Sequence, residues 1–308
     1  MVRIGTRGSR LAMWQATRVA EQLRHLAAPA RVEIVEVTTA GDREHDLPLS
    51  RIGGEGAFTK EIQRALLAKA VDIAVHSLKD LPTTPVEGLM LAAVPARGPT
   101  ADVLVSREKR TFAELPQGAR IATGSLRRRA QLLYRRPDLN LLDIRGNVET
   151  RLRKLAEQDF DGLILARAGL ERLGLDHVIT EVLSTEWMLP AVGQGALGLE
   201  CRADDAATRA LLQALDDEAT RAAVLAERAL LRGLGGGCLV PVGAAGAVQG
   251  GRLTLRGAVL PPDGWARVAG EGAGPTAEAE AVGGRLAEEL LARGAGALLA
   301  GSGPAGGA

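Results

Sequence analysis

Aromatic residues make up only 2% of the 308 positions, so the cores of this chain must be built from Leu, Val, Ile and Ala. Cysteine is scarcer still. Cys201 and Cys238 lie far apart and form no Cys-x-x-Cys pair, which excludes a disulfide framework and points to free thiols in a reducing compartment. The four histidines are scattered and no Cys/His cluster has metal-ligand spacing, so no metal is expected. No apolar run approaches the roughly 20 residues that span a bilayer. The opening MVRIGTRGSR has arginines with no apolar stretch behind them, so no secretory signal is expected either. A cytoplasmic protein with no membrane partner follows. The net charge is only +1, which argues against a surface generally attracted to nucleic acid.

The chain has ample material for folding. Hydrophobic residues reach 46% and charged residues 24%, ordinary values for a soluble globular protein, and 308 residues are long enough for two or three domains. Charge is unevenly spread. Between Arg120 and Lys154 nine arginines and one lysine face Asp138, Asp143 and Glu149, a local excess of +7 that calls for an anionic ligand. Only five of the 38 basic residues are lysines, a preference that suits bidentate recognition of carboxylate or phosphate.

Short β-rich runs alternate with helical patterns. Strands are expected at 2–6, 31–37 and 71–77, with helices at 9–26 (N-capped by Ser9) and 59–70. A second set follows, with strands at 101–106, 119–124, 140–145 and 162–167 and helices at 126–136 and 148–158. Such alternation predicts open, mostly parallel sheets with helices on both faces. From about residue 216 the pattern changes to a long helix at 217–234, an antiparallel meander and a helix at 276–292. The expected class is therefore α/β, two doubly wound lobes followed by a smaller C-terminal α+β domain. Pro- and Gly-rich hinges fall at 95–100 and 189–198. The polar, glycine-studded stretch 41–56 reads as a lid or binding loop, and the tail GSGPAGGA as a mobile end.

Three strand-to-helix corners carry arginine. In ATGSLRRRAQL a strand ends at Thr123, Gly124 turns, and Ser125 caps a helix whose first turn holds Arg127, Arg128 and Arg129. A helix N-terminus already bears partial positive charge, so cations there are misplaced unless an anion docks among them; the alternative is that they fan into solvent. TRGS offers Arg7 and Ser9 at a second corner, and IRGNVETR offers Arg145 and Arg151 at a third. AVHSLKDLP places Lys79 and Asp80 just past a buried strand, at the edge where doubly wound sheets bind ligands, although Asp-Leu-Pro also ends strands. His76 reads as a structural histidine. The bottom-up reading is a polyanion-binding cleft between two lobes.

Cys238, in GGGCLVPVG, has three readings: a core thiol, an acyl-transfer nucleophile, or an attachment point on a permissive backbone. Cys201, in an apolar run, reads as buried and inert.

Nine stretches in order carry a resemblance: IGTRGSRLAMWQA, TTAGD, FTKE, DIAVHSLKDLP, GSLRRRAQL, IRGNVETRL, LARAGLERLG, LPAVGQGALGLECR and GGGCLVPVG. Together they resemble the porphobilinogen deaminase, or hydroxymethylbilane synthase, family from Arg3 to about Gly243. The resemblance implies a transferase of tetrapyrrole (porphyrin and heme) biosynthesis, acting as a monomer on porphobilinogen. Four porphobilinogen units would be joined head to tail, each losing ammonia, onto a dipyrromethane cofactor self-assembled from porphobilinogen and held by Cys238 through a thioether; water would then release hydroxymethylbilane. Asp80 matches the family's catalytic carboxylate, which stabilises the azafulvenium cation and shuttles protons. Lys79, Thr123, Ser125, Arg127, Arg128, Asp42 and Ser9, with Asp80, match cofactor contacts. Arg7, Arg145, Arg151, Arg172, Gln15 and Phe58 match substrate contacts, the arginines pairing with the pyrrole carboxylates. Gln194 matches a hinge. The family's two lobes resemble periplasmic binding proteins, and a third domain presents the cysteine. The implied division is 1–97 with 195–215, then 98–194, then 216–308.

The chain departs from the family pattern at Glu55, where a basic residue is common, at Gly124, where a second hydroxyl is common, and at Leu239, where a polar residue is common. None touches Asp80 or Cys238, so activity is expected. Three rivals remain at this stage: a non-catalytic anion-binding module, a nucleic-acid binder with only Tyr134 as a stacking ring in its basic segment, and a cysteine hydrolase.

Overall fold

A computed structural model describes residues 1–26, 31–39, 56–236 and 240–300. Asp42, Glu55, Cys238, Leu239, nearly all of the expected loop at 41–56 and the C-terminal tail lie outside the described residues. In chain order the elements are β1 (Val2–Thr6), α1 (Arg10–Leu26), β2 (Val32–Glu36), α2 (Lys60–Leu67), β3 (Ile73–Ser77), β4 (Leu89–Ala93), β5 (Asp102–Ser106) and β6 (Arg120–Ala122). They continue with α3 (Leu126–Arg135), β7 (Asn140–Leu142), α4 (Val148–Glu157), β8 (Gly162–Ala166), α5 (Arg167–Arg172), β9 (Glu181–Val182), β10 (Leu197–Arg202) and α6 (Ala206–Gln213). The last are α7 (Glu218–Gly233), β11 (Val242–Gln249), β12 (Arg252–Val259), β13 (Val268–Pro275), α8 (Ala279–Ala292) and α9 (Ala295–Leu299).

The chain divides into two compact units, Met1–Gly98 with Gly193–Arg221, and Pro99–Val192 with Ala222–Ala308. The first is built on a five-stranded sheet of order β2-β1-β3-β10-β4. Its strands alternate between two cores, as period-two geometry requires. Ile73 and Val75 of β3 pack with Ala16, Val19 and Leu23 of α1, whereas Ala74 packs with Ile62 and Leu66 of α2. Ser9 accepts the Ala12 N–H at 3.3 Å and so caps α1 as expected. Helix α2 stops at Leu67, earlier than the pattern predicts, because Lys69 adopts a left-handed φ of 56° that turns the chain into β3.

The second unit has a matching sheet of order β7-β6-β8-β5-β9, covered on one face by α3 through Leu132 and on the other by α4 and α5 through Leu155 and Leu170. The expectation of mostly parallel sheets needs one refinement. In each sheet one strand runs against the rest: β10 is antiparallel to β3 and β4, and β5 to β8 and β9. Each reversed strand is the first strand after one of the Pro- and Gly-rich segments at 95–100 and 189–198. Each therefore starts at the edge where its parallel neighbours end, Leu197 opposite Ser77 and Asp102 opposite Ala166.

The second unit also holds the antiparallel sheet β11-β12-β13, packed under α7 and α8 through Ala226, Leu230, Leu253, Leu255, Val282 and Leu286. Its β12–β13 turn rests on α3 at Gly264. That residue has φ 71°, and a Cβ there would fall 2.5 Å from the Ala130 carbonyl oxygen.

Candidate active site

In the first unit β3 runs directly into one 3-10 turn, Leu78–Asp80. Leu78 is buried and donates its N–H to the Ala196 carbonyl at 3.0 Å, which pins the turn to the segment ahead of β10. Lys79 and Asp80 remain half-buried at the carboxyl edge of the sheet. Strand β1 is parallel to β3, so Arg7 and Ser9 emerge at that same edge. The Arg7 guanidinium lies 4.1 Å from the centroid of the Phe58 ring, a cation–π contact that fixes its direction. Side chains alternate here too. Ser77 meets Gln15 of α1, whose Nε2 donates to its hydroxyl at 2.8 Å. His76 points to the opposite face and sits 2.9 Å from Glu200, which also accepts from Gln63. His76 is thus a core residue, 4% exposed, as its sequence setting indicates. Gln194 is buried, and its carbonyl accepts from Arg97 Nε at 2.8 Å. Cys201 is fully buried in β10; burial, aided by Asp205, pushes its thiol up to about 11.

In the second unit the expected corner forms around α3. Thr123 Oγ1 accepts the Ser125 N–H at 3.3 Å, and Ser125 Oγ accepts the Arg128 N–H at 3.4 Å. The neighbouring corner is close: a Cβ on Gly124 would stand 2.8 Å from the Ile144 carbonyl and 4.0 Å from Arg145 Nε. Gly124 is therefore a close-approach glycine, and a hydroxyl-bearing residue there would require the backbone at Ile144 to shift. Asn147 caps α4 by accepting the Thr150 N–H at 2.8 Å, and Arg151 Nε donates to the Gly146 carbonyl at 2.8 Å. Arg172 ends α5, and burial pulls its pKa down.

The three arginines in the first turn of α3 neither fan into solvent nor stand open. Arg127 and Arg128 are each 5% exposed and share the fully buried Asp102. Arg128 donates through Nε and Nη2 to Asp102 Oδ1 at 3.1 and 2.7 Å, and Arg127 Nη1 lies 2.8 Å from Oδ2. Arg127 Nη1 also donates to the Leu189 carbonyl at 2.6 Å, Arg128 Nη1 to Ile164 at 3.0 Å, and Arg129 Nη1 to Leu141 at 2.9 Å. Burial by itself would raise the Asp102 carboxyl, but the two guanidinium charges outweigh it and hold the group well below the usual carboxylate range. Burial, together with Arg128, lowers Arg127 despite Asp102. Among the described residues two buried guanidinium groups thus share the one carboxylate of Asp102. Sequence reading missed Asp102, although an acid at the head of the apolar run DVLVS was a visible signal.

The family model "Porphobilinogen deaminase, dipyromethane cofactor binding domain" matches residues 2–210, and "Porphobilinogen deaminase, C-terminal domain" matches residues 221–292. The chain belongs to the porphobilinogen deaminase family. The porphobilinogen deaminase of Syntrophotalea carbinolica is 53% identical over 299 residues, covering 97% of this chain and 95% of that protein. That of Geobacter sulfurreducens is 50% identical, covering 97% and 94%. Among solved structures, the periplasmic aliphatic sulphonate binding protein SsuA of Escherichia coli aligns with 17% identity and a TM-score of 0.41, over 75% of this chain and 69% of that one.

The family's cofactor is dipyrromethane, and the residues present fit such a group. Among the described residues the buried Arg127 Nε–H has no hydrogen-bond partner, which suits it to donate to an anionic group. Hydroxyls, helix N–H groups and guanidinium groups form a donor set suited to carboxylates. Among the described residues no group of His, Cys, Asp and Glu is placed to hold a metal ion, and no helix is long and apolar enough to cross a membrane.

Proposed function

We propose that the chain condenses four porphobilinogen molecules head to tail onto dipyrromethane carried by Cys238 and releases hydroxymethylbilane by hydrolysis. Family membership supports the reaction, and the single observation that carries the site is the half-buried Lys79–Asp80 turn at the carboxyl edge of the first sheet. Dipyrromethane, when bound, supplies the free pyrrole carbon to which the first substrate unit is joined.

Each condensation breaks the bond from the aminomethyl carbon of porphobilinogen to its nitrogen and forms a carbon–carbon bond to the chain end. Ammonia leaves and the ring proton is lost. Asp80 accepts the pyrrole N–H of the substrate, stabilises the positive charge that develops as ammonia departs, and carries protons to and from the reacting groups. Lys79, Thr123, Ser125, Arg127 and Arg128, with Ser9 and Asp42, hold the cofactor. Arg7, Arg145, Arg151 and Arg172 neutralise substrate carboxylates, with Gln15 and Phe58 orienting Ser77 and Arg7. Gln194 serves as a hinge. A three-part division, 1–97 with 195–215, 98–194 and 216–308, a monomeric state, a cytoplasmic location and no nucleic-acid partner complete the reading.

Intact mass after incubation with porphobilinogen tests it. The polypeptide should weigh more than its sequence by two pyrrole units, and Cys238→Ala should remove that increment. A wild-type chain that never gains mass overturns the assignment, and an adduct retained in Cys238→Ala moves the attachment to Cys201.

A further inference from the structure

The second turn of α3 holds a buried glutamine, Gln131. Gln131 is 2% exposed, and its carboxamide pairs with both the backbone N–H and the carbonyl of one residue, Leu189. Gln131 Oε1 accepts the Leu189 N–H at 2.8 Å, and Gln131 Nε2 donates to the Leu189 carbonyl at 3.0 Å. The side chain thus acts as one rung of a sheet, satisfying the buried Leu189 N–H and sharing the Leu189 carbonyl with a second donor. The same Leu189 carbonyl is the backbone acceptor of Arg127 Nη1, at 2.6 Å.

Leu189 also sets the start of β11. A Cβ on Gly243 would stand 2.7 Å from Leu189 Cβ and 3.0 Å from its carbonyl oxygen, so the two backbones are in direct contact. Ala244 N–H donates to the Pro190 carbonyl at 3.0 Å. Leu189 further packs with Ala130, Ala258 and Leu260 in one apolar cluster, which locks this short segment between α3 and the C-terminal sheet. One peptide therefore touches both the Arg127 guanidinium and the strand that begins four residues after Cys238.

We infer that Gln131 is a positioning residue for cofactor attachment: by clamping the Leu189 peptide it fixes Arg127 and the first residues of β11 in one frame. This rests on the reading of Cys238 as the attachment point. Without the clamp the Leu189 peptide is free to tilt, and Arg127 keeps Asp102 but loses a fixed carbonyl. The first residues of β11 then lose their reference to Arg127, the arginine assigned to the cofactor's carboxylate.

Gln131→Met keeps the length of the side chain and removes both hydrogen bonds. Val282→Ala, a cavity in the core beneath α8, serves as a control for lost stability alone. Cofactor-free full-length chains are incubated with porphobilinogen at a temperature where all are folded, and the gain of two pyrrole units is followed by intact mass. Gln131→Met should slow attachment at least ten-fold, with Val282→Ala near the wild-type rate. If Gln131→Met does not fold, Gln131→Glu, which retains the bond from the Leu189 N–H, takes its place and should slow attachment about three-fold. Wild-type rates in the glutamine variant, or slowing in both variants in proportion to their loss of Tm, overturn the inference. A wild-type chain that gains no mass instead overturns the cysteine reading on which it rests.

Discussion

Each α/β sheet carries an aspartate held between two arginines, and the two trios sit at opposite edges. In the first unit Asp72 precedes β3 at the amino edge. Arg3 of β1 reaches it with its backbone N–H at 2.9 Å, Nε at 3.1 Å and Nη2 at 2.9 Å, and Arg202 at the end of β10 adds Nη2 at 3.2 Å. In the second unit Asp102 opens the reversed strand β5, which brings it to the carboxyl edge beside the start of α3. The Asp72 side chain keeps 15% of its exposure and the Asp102 side chain none. Strand direction makes the difference. The amino-edge trio staples three strands together far along β3 from Lys79 and Asp80, whereas the carboxyl-edge trio stands where ligands of doubly wound sheets bind. The same chemistry is a rivet in one unit and part of the candidate site in the other.

The sharpest way to break this contrast starts from Asp80, at the other end of β3 from Asp72. Asp80→Asn should lower turnover by about 10²–10⁴-fold, the usual range for a proton-transferring group, while the denaturation midpoint stays near wild type and the adduct is retained. Near-normal rates would remove Asp80 from the chemistry. Next in size is Asp102→Asn. It leaves two buried guanidinium groups without a counter-charge and should cost about 3–5 kcal/mol in urea unfolding. Asp72→Asn breaks a partly exposed trio and should cost about 1–2 kcal/mol, with turnover of the folded protein unchanged. Equal losses in the two variants would erase the distinction.

Acid should reveal the same pair. Asp72 and Asp102 both titrate below the ordinary carboxylate range: burial pushes each up, but the hydrogen bonds and charges of their arginines win. Their stabilisation is therefore complete above the unfolded-state value of about 4 and is lost as pH falls through the folded-state values. Unfolding midpoints measured from pH 7 to pH 3 should fall less steeply in either asparagine variant than in wild type. The smallest effect concerns Cys201, next to Arg202 in β10, whose thiol is pushed up to about 11 by burial. In a Cys238→Ala background, iodoacetamide at pH 8 should leave it unmodified. Adding Asp72→Asn should produce slow labelling and adding Asp102→Asn none, which separates local loosening of the first unit from loosening of the second.

Much of the site was legible before folding. The run VDIAVHS followed by LKDLP announces a buried strand ending in two charges, and Ser9 and Ser125 announce helix starts that the caps bear out. The arginines at the head of α3 were visible as an electrostatic anomaly. Their partner was not, because Asp102 comes from a strand that reads like any other until its direction is known. Gln131 was hidden for a similar reason. A polar residue in an arginine-rich helix reads as solvent-facing, and only the return of Leu189 from 58 residues downstream makes it core.

Local patterning decided where strands and helices begin, which strand ends carry charge, and which family the motifs resemble, because propensity, capping and periodicity act over a few residues. Direction and partnership were decided by the tertiary structure. Arg3 meets Asp72 across 69 positions and Arg202 meets it across 130, and β5 and β10 each run against the other strands of their sheets. Coulomb attraction between such groups grows strong only when folding has removed water from around them, so whether an arginine becomes a rivet or part of a binding corner is settled by burial and position together.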